Sequence, residues 1–304
     1  METVLITGGT GLVGKALGQA LLNKGYRVVI LSRQSVNATA TLTYAHWNVE
    51  QQAIEKSAIE MADYVVHLAG AGVAEKRWTK KRKQEIVSSR VNSSRLIAES
   101  LRTIPNKVKT VVSASAIGWY GPDPIIPNSK PFVEADFCHN DFLGMACKHW
   151  EESIEPVVQL GKRLVKIRTG IVLSRKGGAL KEFKRPLRLG IATILGRGRQ
   201  VISWIHIDDL VQLYISAIEN PAMNGVYNAV APGPVSNKEL TLELAKSRKR
   251  FFIKIHIPSF LLKLFLGEMS VELLKSCTVS NKKIEEAGYK FLYPSVQSAM
   301  EHLK

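Results

Sequence analysis

The sequence predicts an α/β protein with a doubly wound parallel sheet and a small C-terminal α/β subdomain. Short apolar runs, which are typical of buried parallel strands, alternate with helical apolar spacings through roughly the first 170 residues. A glycine-rich turn directly follows the first run, and the sequence contains no internal repeat or low-complexity linker. Strands that alternate with helices at this rhythm form βαβ units with right-handed crossovers.

The first βαβ unit lies at the start of the chain. Its opening strand is the β-branched run at residues 3–7, and a glycine-rich segment follows at residues 8–14. Apolar residues at helical spacing continue to Leu21, and Gly25 ends the helix. A second buried strand is predicted at residues 27–31, which completes a unit of the expected size.

The alternation continues along the first half of the chain. Further strands are predicted at residues 44–49, 62–68, 108–113 and 164–168, and helices at residues 79–102 and 142–159. In open parallel sheets, ligands bind at the carboxyl ends of the strands. The residues that follow each strand are therefore the candidates for a binding site.

Beyond residue 170 the pattern loosens, and glycines punctuate a loop-rich region. The remaining predicted elements are a strand at residues 201–207 and helices at residues 209–219, 239–250, 259–266 and 281–287. We assign residues 1–235 to the sheet domain and residues 236–304 to a mainly helical C-terminal subdomain. Segments near residues 122–140 and 170–203 are expected to reach into a substrate cleft.

The composition is that of an ordinary folded protein. Of the 304 residues, 45% are hydrophobic and 22% are charged. No apolar run approaches the roughly 20 residues of a membrane-spanning helix, and no export signal precedes the first strand. The three cysteines, Cys138, Cys147 and Cys277, are odd in number and lack metal-ligand spacing. We therefore expect a cytoplasmic protein without membrane association or a bound metal.

The chain is strongly basic, with a formal net charge of +16, and its densest basic segment is at residues 76–83. A run of this kind with an embedded tryptophan suits phosphate contacts and base stacking. No helix-turn-helix, zinc-finger or RNA-binding signature accompanies it, so an exposed helical face is the favoured interpretation. We expect a small-molecule substrate, a monomer or homodimer, and no nucleic-acid partner.

Three glycines form the pattern Gly-x-x-Gly-x-x-Gly between the first strand and the first helix. Glycine lets the backbone turn tightly and approach a pyrophosphate, while the helix N-terminus directs free N–H groups at the phosphates. This context indicates the dinucleotide-binding loop of a Rossmann-type fold. The cofactor-binding residues predicted in this segment are Thr7, Gly8, Gly9, Thr10, Gly11, Leu12, Val13 and Gly14.

The end of the second strand distinguishes NAD from NADP. An NAD site places an acidic residue there for the ribose 2′-hydroxyl, whereas an NADP site places a cation near the 2′-phosphate. Ser32 and Arg33 occupy this position, and no acidic residue occurs between Glu2 and Glu50. We therefore predict NADP(H), with Arg33 near the 2′-phosphate and the amide of Asn48 beside the adenine.

Motifs spread over nearly the whole chain carry a family resemblance. They are Thr-Gly-Gly-Thr-Gly-Leu-Val-Gly (7–14), His-Leu-Ala-Gly (67–70), Ser-Ala-Ser-Ala-Ile-Gly-Trp-Tyr-Gly (113–121), Asp-Phe-Leu-x(6)-Trp-Glu (141–151), Trp-Ile-His-Ile-Asp-Asp-Leu (204–210) and Gly-Tyr-x-Phe-x-Tyr-Pro (288–294). The chain resembles an extended short-chain dehydrogenase/reductase, and more narrowly the atypical epimerase family subgroup with a C-terminal domain of unknown function. The resemblance implies NADP(H) binding, with Leu68, Ala69, Gly70 and Ser113 beside the cofactor, and an oxidoreductase or epimerase activity on an undefined substrate.

The resemblance also implies a catalytic Ser, Tyr and Lys, the last two as Tyr-x-x-x-Lys one helical turn apart. Ser115 fits the serine. Lys148 is the candidate lysine, but Gly144 stands four residues before it, and no tyrosine lies between Tyr120 and Tyr214. Tyr120 is the candidate substitute for the missing tyrosine.

Other polar residues are weaker candidates. Arg168 and His206, each at the end of a predicted strand, are expected to face the substrate cleft, and Asn92 is a candidate for the active-site asparagine of the superfamily. Two functions remain open: an NADP(H)-dependent oxidoreductase or epimerase with a non-standard acid, and a catalytically silent NADP(H)-binding sensor. Nucleic-acid binding through residues 76–83 is the third alternative.

Overall fold

The computed structural model describes residues 1–33 and 39–304. The strands are β1 (Thr3–Thr7), β2 (Arg27–Ser32), β3 (Leu42–Asn48), β4 (Ala53–Ile54), β5 (Tyr64–His67), β6 (Thr110–Ala116), β7 (Arg163–Thr169), β8 (Ile171–Leu173), β9 (Ile191–Leu195), β10 (Val201–Ile202), β11 (Trp204–His206), β12 (Gly225–Ala229), β13 (Val235–Ser236) and β14 (Ile253–Ile257). Every residue of β1 is buried, which explains its uninterrupted apolar and β-branched sequence.

Helices connect most of the strands. They are α1 (Leu12–Asn23), α2 (Lys56–Met61), α3 (Lys80–Thr103), α4 (Phe142–Ile154), α5 (Ala179–Leu187), α6 (Ile207–Glu219), α7 (Asn237–Ser247), α8 (Ser259–Leu266), α9 (Ser270–Leu274), α10 (Lys282–Glu286) and α11 (Val296–Leu303). Short 3-10 turns cover Ile117–Trp119, Glu155–Leu160 and Gly267–Met269. Within the described ranges, no helix is both long and apolar enough to cross a membrane.

The described residues form one eight-stranded sheet in the order β12-β7-β6-β5-β1-β2-β3-β4. Every neighbouring pair is parallel except β3 and β4, so the predicted doubly wound α/β class is confirmed. The strand order reverses between β1 and β5, because the chain builds outward in opposite directions from these two strands. Such a reversal opens a crevice at the carboxyl ends of the strands, here beside Thr7 and His67.

Apolar cores cover both faces of the sheet. On one face, Val4 and Ile6 of β1 pack with Leu17 of α1 and Leu213 of α6. On the other face, Leu5 packs with side chains of α3, such as Leu96 and Ile97, and with the end of α4. The alternation of neighbouring β1 residues between the two cores holds the carboxyl end of this strand in a fixed position.

The C-terminal residues pack with the segments that the sequence analysis placed near the substrate cleft. Strand β14 pairs in parallel with β9, and β13 pairs antiparallel with β10. A third core combines side chains from both sides of residue 235, among them Leu180, Trp204, Leu240 and Met300. The domain boundary at residue 235 therefore stays a prediction, since the packing is continuous across it.

A buried carboxylate fixes the segment at residues 122–140 against the C-terminal region. Asp123 accepts hydrogen bonds from the hydroxyls of Ser276 and Thr278 at 2.7 Å each and from the Thr278 backbone N–H at 2.9 Å. Asn128 donates a further bond to the same carboxylate at 2.9 Å. Four donors compensate the burial of this charge, so the two segments are held in one arrangement.

Candidate functional site: the crevice beside β1 and β5

The glycine-rich turn lies at the carboxyl end of β1 and is closely packed against β5. Gly8 has φ +67°, and a Cβ there would lie 2.8 Å from the carbonyl carbon of Leu68. A Cβ on Gly14 would lie 2.4 Å from the carbonyl oxygen of Gly8, so the start of α1 approaches the turn without space for a side chain. Both positions require glycine, one for its backbone conformation and both for contact distance.

The N-terminus of α1 is available to an anion. Gly11 is its N-cap and has no side chain to satisfy the first N–H groups, and no acidic residue stands in the first turn. These uncapped donors and the positive end of the helix dipole point out of the turn made by residues 8–11. Backbone and dipole thus provide the phosphate-binding geometry that the glycine pattern predicts.

Thr7 joins the ends of β1 and β5. Its hydroxyl accepts hydrogen bonds from the backbone N–H groups of Leu68 and Ala69, at 3.0 and 3.1 Å, and lies 2.8 Å from Nδ1 of His67. Burial lowers the pKa of His67 to about 3, with a smaller effect from the positive charge of Arg90, so the ring is neutral. The threonine oxygen thus accepts from two backbone N–H groups and contacts the neutral His67 ring, and the four residues form one edge of the crevice.

The residues predicted to meet the adenosine half lie at the ends of β2 and β3. Arg33 directly follows β2 and is exposed, and Ser32 is half-buried at the end of that strand. The side-chain oxygen of Asn48 accepts from the backbone N–H groups of Glu50 and Gln51 at 3.0 and 3.1 Å. Asn48 thus caps the turn after β3 through its side-chain oxygen.

Ser113 and Ser115 are two residues apart in β6, so their side chains lie on the same face of the sheet, and both are buried. The Ser115 hydroxyl donates to Glu151 at 2.6 Å. The Arg168 guanidinium binds the same carboxylate through Nε at 2.8 Å and Nη2 at 3.0 Å. Arg168 is 2% exposed, and Glu151 neutralises its charge in the interior. A place for Arg168 at the substrate cleft stays a prediction.

Tyr120 belongs to the same buried network. Its ring is fully buried and stacks on Phe132 with centroids 5.2 Å apart. Its hydroxyl donates to the side-chain oxygen of Asn228 at 2.8 Å and accepts from Arg168 at 3.1 Å. Burial raises the pKa of Tyr120 to about 12 in spite of Arg168. This enclosed, fully bonded phenol does not fit the substitute proton donor that the sequence suggested.

Helix α4 places Leu143 and Cys147 toward the end of β6, one residue before the positions of Gly144 and Lys148 that the sequence suggested. A Cβ on Gly118 would lie 3.3 Å from Cβ of Leu143 and 3.6 Å from Sγ of Cys147, which are one helical turn apart. The Cys147 thiol also approaches the carbonyl oxygen of Ala116 at 3.6 Å. Leu143 and Cys147 thus hold the two inward positions, and neither can relay a proton as tyrosine and lysine do.

Lys148 and Gly144 lie away from these inward positions. The ammonium group of Lys148 lies 3.9 Å from Glu152, and its side chain is 43% exposed. A Cβ on Gly144 would lie 2.1 Å from the carbonyl oxygen of His139, which leaves no room for a tyrosine at this position. Lys148 thus forms a surface contact with Glu152 on the outer side of α4, and its catalytic role stays a prediction.

Arg90 of α3 is an inward-facing cation that the sequence analysis missed. Its Nη1 donates to the carbonyl oxygens of Ala71 and Ile86 at 3.0 and 2.8 Å, and its Cζ lies 4.8 Å from the ring centre of Trp150. The candidate that we had chosen on this helix, Asn92, is exposed on the other side. Helical periodicity could have found Arg90, since it lies on the stripe of the buried residues Ile86, Ser93, Ser94 and Ile97.

Comparison with known proteins identifies the family. The model of the NAD dependent epimerase/dehydratase family matches residues 4–146, and a domain of unknown function, DUF1731, matches residues 257–303. An epimerase family protein of Staphylococcus saprophyticus is 34% identical over 304 residues, covering 100% of this chain and 99% of that protein.

The chain belongs to the epimerase family.

Solved structures of similar proteins agree with this assignment. The human epimerase family protein SDR39U1 (isoform 2), solved with NADPH, superposes with a TM-score of 0.86 at 27% identity, covering 99% of this chain and 98% of that one. A nucleoside-diphosphate sugar epimerase from Corynebacterium glutamicum gives a TM-score of 0.78 at 31% identity, covering 99% of this chain and 57% of that one. The chain is thus an NAD(P)-binding epimerase family protein whose substrate is not established.

In this epimerase family member, His206 connects the sheet to the C-terminal helix. Its Nδ1 accepts from the backbone N–H of Asp208 at 3.0 Å, so Nε2 carries the proton and donates to Nδ1 of His302 at 3.1 Å. Burial lowers the pKa of His206 to about 4, and the ring is fully buried against Tyr293. The structure places His206 in this interior contact, and its place in the substrate cleft stays a prediction.

The same contact brings together a group of side chains that the sequence analysis did not consider. One donor atom each from His206, Asp208 and His302 lies within 4.8 Å of the others, which is a spacing compatible with a metal ion. The expectation of a protein without metal rested on cysteine spacing alone, and these residues are distant in sequence.

Asp209 holds the C-terminal segment of this epimerase family member onto α6. Its carboxylate accepts from the backbone N–H groups of Leu292 and Tyr293, at 2.7 and 3.0 Å, and from the hydroxyl of Tyr289 at 3.0 Å. The N-cap of α6 is His206, so the Asp209 carboxylate is not used to cap this helix. The Gly-Tyr-x-Phe-x-Tyr-Pro motif therefore supplies the donors for one buried carboxylate.

Proposed function

We propose that this protein is an NADP(H)-dependent oxidoreductase or epimerase of the short-chain dehydrogenase/reductase type that acts on a small molecule. The observation that carries the proposal is the closely packed glycine-rich turn at residues 8–14, with the uncapped N-terminus of α1 beside the strand-order reversal. Residues 7–14 and 68–70 would hold the pyrophosphate and the adjoining ribose. The human relative was solved with NADPH, which supports the choice of cofactor.

The bound cofactor would supply hydride transfer, and the protein would supply orientation and a proton. Leu143 offers no proton, and burial raises the pKa of Cys147 to about 12, so neither inward residue of α4 titrates near neutrality. A general acid works best with a pKa near the operating pH. The catalytically silent, cofactor-binding sensor is therefore retained as the second candidate function.

The basic segment at residues 76–83 favours a small-molecule role over nucleic-acid binding. Arg82 is buried, with ion pairs to Glu75 and Glu85, and Lys83 binds Glu268 at 2.6 Å. Such internal partners reduce the charge available to phosphates. We retain a monomer or homodimer in the cytoplasm as part of the proposal.

Replacement of Arg33 tests the cofactor preference. The Arg33→Ala variant is expected to weaken NADPH binding about tenfold or more and NADH binding little, because only NADPH carries the 2′-phosphate. Titration of both cofactors by fluorescence measures this difference. Arg27→Ala, which removes an exposed arginine at the opposite end of β2, is the matched control. Equal losses for NADPH and NADH would contradict the proposed contact.

Turnover distinguishes the two candidate functions. The protein with bound NADPH or NADP⁺ is incubated with a panel of carbonyl compounds and sugar nucleotides, and nicotinamide absorbance is followed with product analysis. Substrate-dependent oxidation, reduction or epimerisation would eliminate the sensor. Tight cofactor binding without conversion across the panel would count against the enzyme.

A further inference from the structure

We propose that Arg90 binds the nicotinamide half of NADP(H) and supplies the positive charge that the lysine of Tyr-x-x-x-Lys would supply there. This inference rests on the proposed cofactor and adds a specific contact to it. The ligand chemistry is that of the oxygen acceptors on the nicotinamide ribose and its phosphate.

Arg90 lies between the end of β5 and the inward face of α4. A Cβ on Gly70 would be 3.1 Å from Cγ and 3.2 Å from Cζ of Arg90, so the arginine side chain lies along bare backbone at the crevice. Gly70 follows directly on the residues that contact Gly8 and Thr7. On the other side, the guanidinium packs against Trp150, three residues after Cys147. The cation thus spans from the phosphate-binding turn to the helix that would carry the lysine.

Only part of the guanidinium is engaged by the protein. Among the described residues, the Arg90 guanidinium makes two hydrogen bonds, both from Nη1, to the carbonyl oxygens of Ala71 and Ile86. An arginine carries five N–H donors in a planar fork that matches phosphate and vicinal oxygen acceptors. The two carbonyl contacts fix the fork while Nε and Nη2 remain for a ligand.

The charge of Arg90 lacks the carboxylate partners that Arg168 and Arg82 have. Arg168 is paired with Glu151, and Arg82 with Glu75 and Glu85, whereas no carboxylate of the described residues pairs with Arg90. Burial is the main influence on Arg90 and lowers its pKa, and the neighbouring thiol of Cys147 is protonated. A partly desolvated cation is costly without a counter-charge, so an anionic ligand in the crevice would stabilise it.

Two ligands separate this contact from cofactor binding in general. NADPH contains both halves of the cofactor, whereas 2′,5′-ADP contains the adenosine half with the 2′-phosphate and lacks the nicotinamide ribose. We expect Arg90→Gln to weaken NADPH binding about tenfold or more and to leave 2′,5′-ADP binding unchanged, since an ionic hydrogen bond is lost on one half only. Arg33→Ala should weaken binding of both.

Additional variants control for charge and for folding. Arg90→Lys retains a positive charge and should recover part of the NADPH affinity, and Cys147→Ser changes the neighbouring group without changing charge. Isothermal titration of each variant gives the dissociation constants, and circular dichroism confirms that each is folded. Unchanged NADPH binding by Arg90→Gln, or an equal loss of both ligands, would overturn the inference. Failure of the unaltered protein to bind either ligand would instead overturn the proposed cofactor.

Discussion

Individual polar side chains compensate buried charge in the interior of the protein. Arg168 and Glu151 form a bidentate pair in which both side chains are nearly inaccessible to solvent. Ser115 donates a hydrogen bond to Glu151, while Arg168 donates to the hydroxyl of Tyr120 and to the carbonyl oxygen of Glu134. A buried charge that loses its partner is strongly destabilising, so these residues act as a unit.

Replacement of Arg168 tests this interpretation at the residue scale. Arg168→Met should lower the free energy of unfolding by about 3–5 kcal/mol, because it leaves the Glu151 carboxylate buried and unpaired. The double variant Arg168→Met/Glu151→Met should be distinctly less destabilised than the sum of the single variants. Urea denaturation measures the three values.

A surface pair provides the control for this series. Arg185 and Glu182 on α5 are both more than 60% exposed, and Arg185→Met should change stability by less than about 1 kcal/mol. A loss from Arg168→Met no larger than the loss from Arg185→Met would contradict the structural role of the buried pair.

Helices α1 and α4 show how an element's packing decides the chemistry of a site. The first turn of α1 requires glycine at position 14, because a Cβ there would meet the backbone of Gly8 and Gly9. The register of α4 turns Leu143 and Cys147 inward and leaves Lys148 outside. The cofactor-binding element is thus preserved while the usual proton relay is absent from its neighbour.

Two glycines on α1 give a matched test at the element scale. Gly14→Ala should destabilise the protein by about 1–3 kcal/mol and abolish NADPH binding, since its Cβ would meet backbone atoms at 2.4 Å. Gly18→Ala should be stabilising by about 0.5–1 kcal/mol with unchanged NADPH binding, because its Cβ would only reach Val28 at 3.9 Å. Thermal unfolding and cofactor titration distinguish the two. A tolerated Gly14→Ala would show that the turn does not approach α1 as described.

The whole molecule is closed by its C-terminal segment. Asp209 accepts hydrogen bonds from the backbone N–H groups of residues 292–293, and Asp123 accepts hydrogen bonds from Ser276 and Thr278. His206 contacts His302 on α11. These contacts bring the matched DUF1731 region onto the end of the sheet beside α6. The C-terminal region is therefore held to the rest of the chain by buried hydrogen bonds at three places.

Removal of the Asp209 carboxylate tests the closure. Asp209→Ala would leave the donors of Tyr289, Leu292 and Tyr293 without their acceptor, so we expect a loss of about 2–5 kcal/mol in stability. Hydrogen exchange of residues 290–303 should accelerate more than that of β1. Asp208→Ala, at a half-exposed neighbouring position, should change neither strongly. Uniform acceleration across the sheet would contradict a local role.

The sequence predicted the sheet more completely than the site. Continuous apolar runs such as β1 and the glycine pattern at residues 8–14 can be recognised from residues that are neighbours in sequence. The structures predicted from both are confirmed. Strand β12 (Gly225–Ala229) was not predicted, although it forms the edge of the sheet beside β7. The predicted strand at residues 201–207 is divided into β10 and β11, which pair with different partners.

The sequence by itself determined the fold class, the family and the position of the phosphate-binding turn, because local patterns encode buried strands and helix starts. Only the tertiary structure decided which polar residues pair in the interior. Ser115, Tyr120 and Arg168 join one interior network with Glu151, and Arg90 packs between Gly70 and Trp150 without a carboxylate partner among the described residues. The physical reason is that pairing and exposure depend on residues far apart in the chain, which meet only when the sheet and helices pack.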